Sequence, residues 1–401
     1  MKVSIIGQGY VGLTISAFAA AKHDVVGFDN SQKVVDRLNQ GISHIEGVDS
    51  EVIAKWAKEG RYTATTNGAD IKGSDIVVIA VPTPLTKDRK PDMSFIESAC
   101  KTIAENIDQP VLIINESTSF PGTVRNFIKP LIEKLSTNKF EHEYAISPER
   151  VDPGRGDYNQ KNTPRLYAGL TPEASEKTRE FYSSFCDELV EVSSPEVAES
   201  AKLFENTFRQ VNIALVNEFA QIAHKLGISV NEVLDAANTK PYGFMKFTPS
   251  AGVGGHCIPI DPTYLAHVAE QLGAPSTFIE RANEVNLEMP VYIVDRVEAD
   301  NGGSLKGKSV LVVGVAYKPN VADVRETPAE IVIEELRKRG AVVAWHDDVV
   351  GSWQGETSAP LKGADISIVV TLHSVVKAAD VLASAPYVFD TTGKVKGAKT
   401  L

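Results

Sequence analysis

The chain has 401 residues, enough for two or three globular domains. Its formal net charge of -11 argues against non-specific nucleic-acid binding, which needs a basic face. Cys100, Cys186 and Cys257 are widely spaced with no Cys-x-x-Cys pair, which argues against a disulfide framework or a structural zinc site. A reducing, cytoplasmic compartment is expected, with no secretory leader, no membrane span and no metal.

Residues 3–6 read as a short buried strand. The strand runs into Gly7-Gln-Gly-Tyr-Val-Gly12 and an apolar helix to about residue 21, and residues 24–28 form the next strand, ending at Asp29. Strand, glycine turn, helix, strand and acidic residue are the context a dinucleotide fingerprint requires. Gly7 allows the turn, Gly9 lets a pyrophosphate approach the backbone, and Gly12 lets the helix pack close to the strand. The helix N-terminus, from Tyr10 and Val11 onward, supplies amides and a positive dipole end for phosphates. Asp29 suits a ribose 2′-hydroxyl and repels a 2′-phosphate, so NAD is expected over NADP. The competing reading is a glycine-rich turn in an unrelated α/β domain.

Residues 75–81 read as a strand ending in Val81-Pro-Thr-Pro84, followed by a helix that Asp92 can cap. Residues 111–115 form another, ending in Glu116-Ser-Thr-Ser119, and Pro121 or Gly122 opens the next helix. Residues 144–146 lead into Ser147-Pro-Glu-Arg-Val-Asp-Pro-Gly154. Ligands in a doubly wound sheet sit beyond the carboxyl ends of strands, where Thr83, Thr118 and Glu149 fall. Each also reads as a turn or capping residue, and for Thr83 that is the stronger reading.

Ser193-Ser-Pro-Glu196 opens a long helix that runs to about Leu226, with Gly227 as its stop. Val197, Ala201, Phe204, Phe208, Val211, Leu215, Phe219 and Ile222 recur at helical spacing as one apolar stripe. Lys202, Asn206 and Arg209 lie on another stripe, whose ordinary reading is a solvated face. A helix this long between two α/β units is expected to span domains and to offer a dimer surface. Further on comes Ala251-Gly-Val-Gly-Gly-His-Cys-Ile-Pro-Ile-Asp-Pro-Thr-Tyr264. Gly254 and Gly255 let a ligand or another backbone approach closely before Cys257, with Asp261 four residues on. A cysteine is a good nucleophile only as the thiolate, and on these residues alone a buried structural cysteine is an equal reading.

Residues 275–300 read as another long helix, and strands at 309–316, 341–345, 365–371 and 387–390 form a second doubly wound unit with a helix at 330–339. Only Gly314 of a glycine fingerprint remains there, so a different phosphate-bearing ligand is expected, with Lys318 and Arg325 as loop cations that also suit a solvated loop. The expected fold is α/β, two doubly wound Rossmann-like domains joined by a long central helix. The expected division is 1–193 for NAD binding, 194–304 for a central helical domain with the cysteine loop, and 305–401 for that second phosphate-bearing ligand.

Gly7-Gln-Gly-Tyr-Val-Gly12, Val81-Pro-Thr-Pro84, Glu116-Ser-Thr118, Ser147-Pro-Glu149, Lys202 with Asn206, Gly254-Gly-His-Cys-Ile-Pro-Ile-Asp261, and Gly314-Val-Ala-Tyr-Lys-Pro319 with Arg325-Glu-Thr occur in one order. On these motifs the chain resembles the nucleotide-sugar (UDP-sugar) 6-dehydrogenases over nearly its whole length. The Gly-His-Cys-Ile-Pro-Ile-Asp-Pro form looks like the N-acetylhexosamine branch, most like the UDP-N-acetylglucosamine 6-dehydrogenases, with UDP-N-acetylmannosamine as the near rival.

The resemblance implies oxidation of a C6 alcohol to a carboxylate with two NAD⁺, through a thiohemiacetal and then a thioester on Cys257. It assigns oxyanion stabilisation to Lys202 and Asn206. Proton transfer and thioester hydrolysis fall to Glu149, with Thr118 and Asp261 orienting a water. It places Tyr10, Val11, Thr83 and Thr118 beside NAD. It places Glu149, Arg150, Lys202, Asn206, Arg209, Gly254, Gly255, His256, Tyr264, Lys318 and Arg325 around the UDP-sugar; a homodimer is expected from the long helix and its apolar stripe. One departure is Pro249-Ser-Ala-Gly252, where the family usually has Gly-Pro-Gly; Ser250 tolerates positive φ less well, so the loop is expected to differ. A single-step hydroxyacid dehydrogenase, which needs no Cys257, and a catalytically silent UDP-sugar-binding protein are the rivals. NADH formed per sugar separates the three: two, one or none.

Overall fold

The computed structural model describes residues 1–45, 47–151, 157–255 and 258–401. His256 and Cys257 therefore lie outside the described residues, as do Asp152, Pro153 and Gly154 of the Ser147–Gly154 segment. The chain divides into two compact units, Met1–Glu205 and Asn206–Leu401.

The first unit contains β1 (Lys2–Ile6), β2 (Asp24–Phe28), β3 (Tyr62–Thr65), β4 (Ile76–Ile79), β5 (Leu112–Asn115), β6 (Glu143–Ile146), β7 (Arg165–Gly169) and β8 (Leu189–Glu191). They form one sheet in the order β3-β2-β1-β4-β5-β6-β7-β8. Pairings from β3 through β6 are parallel, and β7 reverses against β6. Successive side chains of a strand point to opposite faces. Val3, Ile5, Val78 and Ile114 accordingly join one buried cluster, while Val77, Ile79, Ile113 and Ile146 join another. Both faces are covered, which is why β4 reads as an unbroken apolar run and β1 and β5 as nearly apolar ones, broken by Ser4 and ended by Asn115. Strands β3, β7 and β8 carry no such run and were not legible as strands in the sequence.

The second unit contains β9 (Ser309–Val313), β10 (Val342–His346), a short antiparallel hairpin of β11 (Ser352–Trp353) and β12 (Glu356–Thr357), β13 (Ile366–Val369), β14 (Tyr387–Asp390) and β15 (Lys399–Thr400). Its sheet is wholly parallel, in the order β10-β9-β13-β14-β15. Val216, Ala220 and Ala223 of the long helix Pro195–Leu226, with Met289, Ile293 and Val297 of the helix Thr277–Asp300, share one core cluster with Val310, Val312 and Ile368. Asn217 donates to Asn286 at 2.9 Å inside that interface.

The two doubly wound sheets and the long helix match the expected fold. The apolar stripe of that helix does not behave as a core stripe. The buried apolar residues of the helix are Ala198, Leu203, Ala214, Val216, Ala220 and Ala223. The residues that the spacing selects are mostly open instead, with Phe204 65% and Leu215 61% exposed. Small residues close the helix onto the core, and the large ones are left over.

Candidate active site

The glycine turn after β1 is built as the fingerprint requires. Gly7 has φ of 94° and its N–H donates to the Phe28 carbonyl at 2.8 Å. A Cβ there would lie 2.4 Å from the Ala80 carbonyl oxygen. At Gly12 a Cβ would lie 1.8 Å from the Gly7 carbonyl oxygen, so the helix Tyr10–Ala19 can approach the turn only without a side chain. Gly9 differs, because among the described residues nothing lies within 4 Å of a Cβ placed there. It is the open glycine, at the N-cap of a helix with no capping side chain and no acid in its first turn. Bare N–H groups at an open helix start fit a pyrophosphate. Val11 is half-buried in that first turn, and Tyr10 lies near Gly47.

Asp29 follows β2 and accepts from Gln8 N and Ser31 N, each at 2.9 Å. Two backbone donors hold the carboxylate while leaving lone pairs for ribose hydroxyls. Thr83 is buried beyond β4, and Thr118 is half-buried beyond β5. The neighbouring Ser117 Oγ accepts from Val81 N at 2.9 Å and so ties those two strand ends together.

Glu149 lies beyond β6 and is 8% exposed. Its Oε1 accepts from Val151 N at 2.5 Å, and its Oε2 accepts from Gln160 Nε2 and, at 3.5 Å, from Arg165 Nη2. Arg165 is also paired at 2.9 Å with Glu116 Oε1, which accepts the Tyr182 hydroxyl as well. Burial pushes the Glu116 carboxyl up to about 7 against the opposing pull of Arg165. Arg150 pairs with Glu205 at 2.7 Å and donates to the Pro164 carbonyl at 2.8 Å. Lys202, half-buried, lies one helical turn before Asn206 on the long helix, and Arg209 is exposed.

In the second unit Asp261 is the first residue of the helix Asp261–Gln271 and is buried. The helix dipole favours a carboxylate there. Asn206 Nδ2 donates to Asp261 Oδ2 at 2.5 Å. Tyr264 is fully buried one turn on. A Cβ on Gly254 would meet the Glu326 carbonyl oxygen at 2.8 Å, and one on Gly255, whose φ is 82°, would meet the Tyr317 ring at 2.7 Å. Gly255 N donates to the Arg325 carbonyl at 2.9 Å. Gly255 is thus fastened to the loop that holds Lys318 and Arg325, and the Arg325 guanidinium pairs with Asp323 at 2.5 Å. The positive φ expected near Ser250 falls on Gly252, at 128°, and Ser250 Oγ donates to the Gly252 carbonyl at 2.7 Å.

The second sheet repeats the first turn without its opening. Gly314 has φ of 82° and donates to the His346 carbonyl at 2.8 Å, as Gly7 does to Phe28. Asp347 then stands beyond β10 as Asp29 stands beyond β2. It is fully buried and accepts from Val315, Ala316, Val349 and Val350 N–H groups and from His373 Nε2. Those donors hold its carboxyl well below the usual range and occupy the lone pairs a ribose would use. A second dinucleotide site is therefore not built here.

Sequence reading missed Gln160, Arg165 and Tyr182 as site residues, and quoted Glu116 without a role. Arg165 opens an unrecognised strand, so nothing in the sequence aimed it at Glu149.

Three family models match the chain in succession. The UDP-glucose/GDP-mannose dehydrogenase family NAD binding domain covers residues 1–186, the central domain 196–288 and the UDP binding domain 311–397. The UDP-N-acetyl-D-mannosamine dehydrogenase of Pyrococcus horikoshii is 35% identical over 383 residues, 93% of this chain and 90% of that protein. The UDP-N-acetyl-D-glucosamine 6-dehydrogenase of Pseudomonas aeruginosa is 33% identical over 365 residues, 88% of this chain and 83% of that protein. The solved structure of the Pyrococcus horikoshii UDP-D-ManNAc dehydrogenase covers all of this chain and 97% of its own, with TM-score 0.88 and 32% identity.

Proposed function

The chain belongs to the UDP-glucose/GDP-mannose dehydrogenase family and is an NAD-dependent UDP-sugar dehydrogenase of the N-acetylhexosamine type, and from that premise we propose that it converts the C6 hydroxyl of UDP-N-acetylglucosamine to a carboxylate. The observation that carries the chemistry is the Asn206–Asp261 bond, which ties the long helix to a residue four positions after Cys257. The gluco epimer rests on the Gly-His-Cys-Ile-Pro-Ile-Asp-Pro segment. UDP-N-acetylmannosamine is the second reading, favoured by the printed name of the Pyrococcus horikoshii relative.

Gly9 and the start of the helix Tyr10–Ala19 would hold the NAD pyrophosphate and Asp29 its adenosine ribose. NAD accepts one hydride at each of the two oxidations. In the proposed sequence, the first oxidation makes the C6 aldehyde, and the Cys257 sulfur bonds to C6 to give a thiohemiacetal. The second oxidation makes the thioester. Water then adds at C6, the C–S bond breaks, and the thiolate leaves. Lys202 and Asn206 donate to the oxygen at C6 while it carries negative charge. Glu149 takes the proton of the attacking water, with Thr118 and Asp261 orienting that water. Overall one alcohol, two NAD⁺ and one water yield one carboxylate, two NADH and three protons. A dimer through the open face of the long helix and a reducing compartment belong to the same reading, the latter supported by the free thiols of Cys100 and Cys186.

The test is a panel of UDP-N-acetylglucosamine, UDP-N-acetylmannosamine and UDP-glucose with NAD⁺, counting NADH per sugar consumed. Two NADH per N-acetylhexosamine is expected. One NADH with released aldehyde, or faster turnover of UDP-glucose, overturns the reading.

A further inference from the structure

The sheet reversal at β7 has a chemical consequence. Ala145 pairs with Gly169 and Ile146 with Ala168, and continuing that antiparallel register brings Glu149 opposite Arg165. A parallel strand would have put its first residue at the far edge of the sheet. Because β7 runs backwards, Arg165 stands at the carboxyl edge, beside the groups that follow β5 and β6.

There Arg165, 4% exposed, is held on every side. Its Nη1 donates to Ser147 Oγ at 3.0 Å and pairs with Glu116 Oε1 at 2.9 Å. Its Nη2 donates to Gln160 Oε1 and, at 3.5 Å, to Glu149 Oε2. The guanidinium lies over the Tyr182 ring, 4.5 Å from its centroid. The Gln160 amide accepts from Arg165 and donates to Glu149 with its other end. Only one orientation of that amide satisfies both neighbours, since the reverse would set N–H groups against the guanidinium and a carbonyl against the carboxylate. Among the described residues, the buried oxygens Glu116 Oε2 and Thr163 Oγ1 of this region have no hydrogen-bond partner. Thr163 lines a small cavity together with Glu149, Gln160 and Arg165.

Burying an arginine among two carboxylates is weak as a stabilising device, because apolar residues of similar size often serve a core as well or better. What the cluster supplies is orientation. Val151 N, Gln160 and Arg165 fix both oxygens of Glu149, and Glu116 with Tyr182 fixes Arg165 in turn. We propose that Arg165 and Gln160, backed by Glu116, are positioning residues that aim the Glu149 carboxylate for proton transfer. This rests on the reading of Glu149 as the proton acceptor. The high value held by Glu116 is consistent with it: as Glu116 gains a proton, the Arg165 charge is left to Glu149 alone.

The experiment is a double-variant cycle in the full chain with saturating NAD⁺ and whichever UDP-N-acetylhexosamine epimer is turned over faster. Glu149→Gln should lower kcat by at least about 100-fold, the lower range for a lost general base. Gln160→Met and Arg165→Lys should each lower kcat by about 10-fold or more, with both KM values within about 3-fold of wild type. The decisive result is the Glu149→Gln/Gln160→Met variant. A residue that acts only through Glu149 adds nothing once Glu149 is gone, so the double variant should be no slower than Glu149→Gln. If Gln160→Met turns over at the wild-type rate, or slows the Glu149→Gln background by its full factor, the positioning role is wrong while the role of Glu149 stands. If Glu149→Gln itself turns over normally, both fail. Thermal unfolding of each variant identifies loss of folding, and Gln160→Met carries the test should Arg165→Lys fail to fold.

Discussion

Asn206 Nδ2 lies 2.5 Å from Asp261 Oδ2, with both side chains buried. An amide donor from the long helix meets a carboxylate at the start of the helix Asp261–Gln271. Asn206→Asp would replace that donor with a second carboxylate in a site that cannot readily hydrate it. Like charges this close cost several kcal/mol even at an effective dielectric of about 20. The variant should lose thermal stability strongly at pH 8 and recover much of it at pH 5, where the pair shares a proton. An equal loss at both pH values, read by thermal unfolding, would point to packing rather than charge.

The three fingerprint glycines are predicted to separate by phenotype. Gly12→Ala sets a methyl group 1.8 Å from the Gly7 carbonyl oxygen, so this variant should be severely destabilised. Gly9→Ala meets nothing within 4 Å and keeps a negative φ, so it should fold with a near wild-type Tm. Its methyl group stands where the pyrophosphate must approach, and KM for NAD⁺ should rise by about 10-fold or more. Similar Tm losses for the two variants would remove the distinction.

Asp29 has two duties, and the second was invisible in the sequence. It is proposed to meet the ribose, and it holds the Gln8 and Ser31 backbones. Asp29→Ala should narrow the preference for NAD⁺ over NADP⁺ by about 10-fold or more in kcat/KM. Most of that change should come from weaker NAD⁺ binding, because the turn loses its anchor. Comparable kcat/KM for the two cofactors in the wild type would contradict the assignment.

The fold was legible where burial on both faces leaves mainly apolar runs, as in β1, β4 and β5, and where glycine or proline marks a turn. It was not legible at β7, whose Arg165-Leu-Tyr-Ala-Gly169 opens on a charge that the sequence does not pair with anything. The same gap hid the Arg165–Gln160–Glu149 cluster, because its members come from segments joined only by sheet register. The long helix was legible in part. Spacing identifies a stripe, but small alanines made the buried face and the large residues the open one.

That open face carries a prediction about assembly. Phe204, Leu215, Ile222 and Leu226 of the long helix are all exposed. A surface of this kind on a stable protein marks an interaction site, and a second copy of the chain is the proposed partner. Light scattering at micromolar concentration should show a dimer, and Phe204→Glu with Leu215→Glu should give folded monomer. A monomeric wild type rules the arrangement out.

Glu199 supplies a pH dependence with a definite sign. It is buried and accepts from Gly122 N at 2.5 Å, Val124 N at 3.1 Å and Ser119 Oγ at 3.3 Å. Burial outweighs these donors and raises its carboxyl from 4.5 to about 7. The folded state therefore binds this proton more tightly than the unfolded state does. Its contribution to stability falls as pH rises from about 4.5 to about 7, by up to about 1.4 kcal/mol per pH unit. Glu199→Gln removes that dependence, so the Tm of wild type minus that of the variant should decline between pH 5 and pH 8. A difference independent of pH would show that Glu199 stays ionised throughout.

The sharpest prediction concerns Cys257, and the other two thiols make it clean. Cys100 and Cys186 are buried, and burial pushes their thiols up to about 12 and about 11. Neither offers a thiolate near neutral pH, so iodoacetamide should label Cys257 alone, and UDP-sugar should protect it. Cys257→Ser keeps the size of the side chain but replaces a thiol of pKa about 8.5 with a far less acidic hydroxyl. Attack on the C6 aldehyde should slow by orders of magnitude, and any ester formed would react more slowly with water than a thioester. The variant should still bind NAD⁺ and UDP-sugar, since neither depends on that sulfur, yet fail to make uronic acid in steady state. Cys100→Ser and Cys186→Ser should leave kcat largely intact, apart from the stability lost where a buried hydroxyl lacks a partner. Near wild-type turnover by Cys257→Ser would end the case for a covalent intermediate on this residue and return the single-step dehydrogenase to contention.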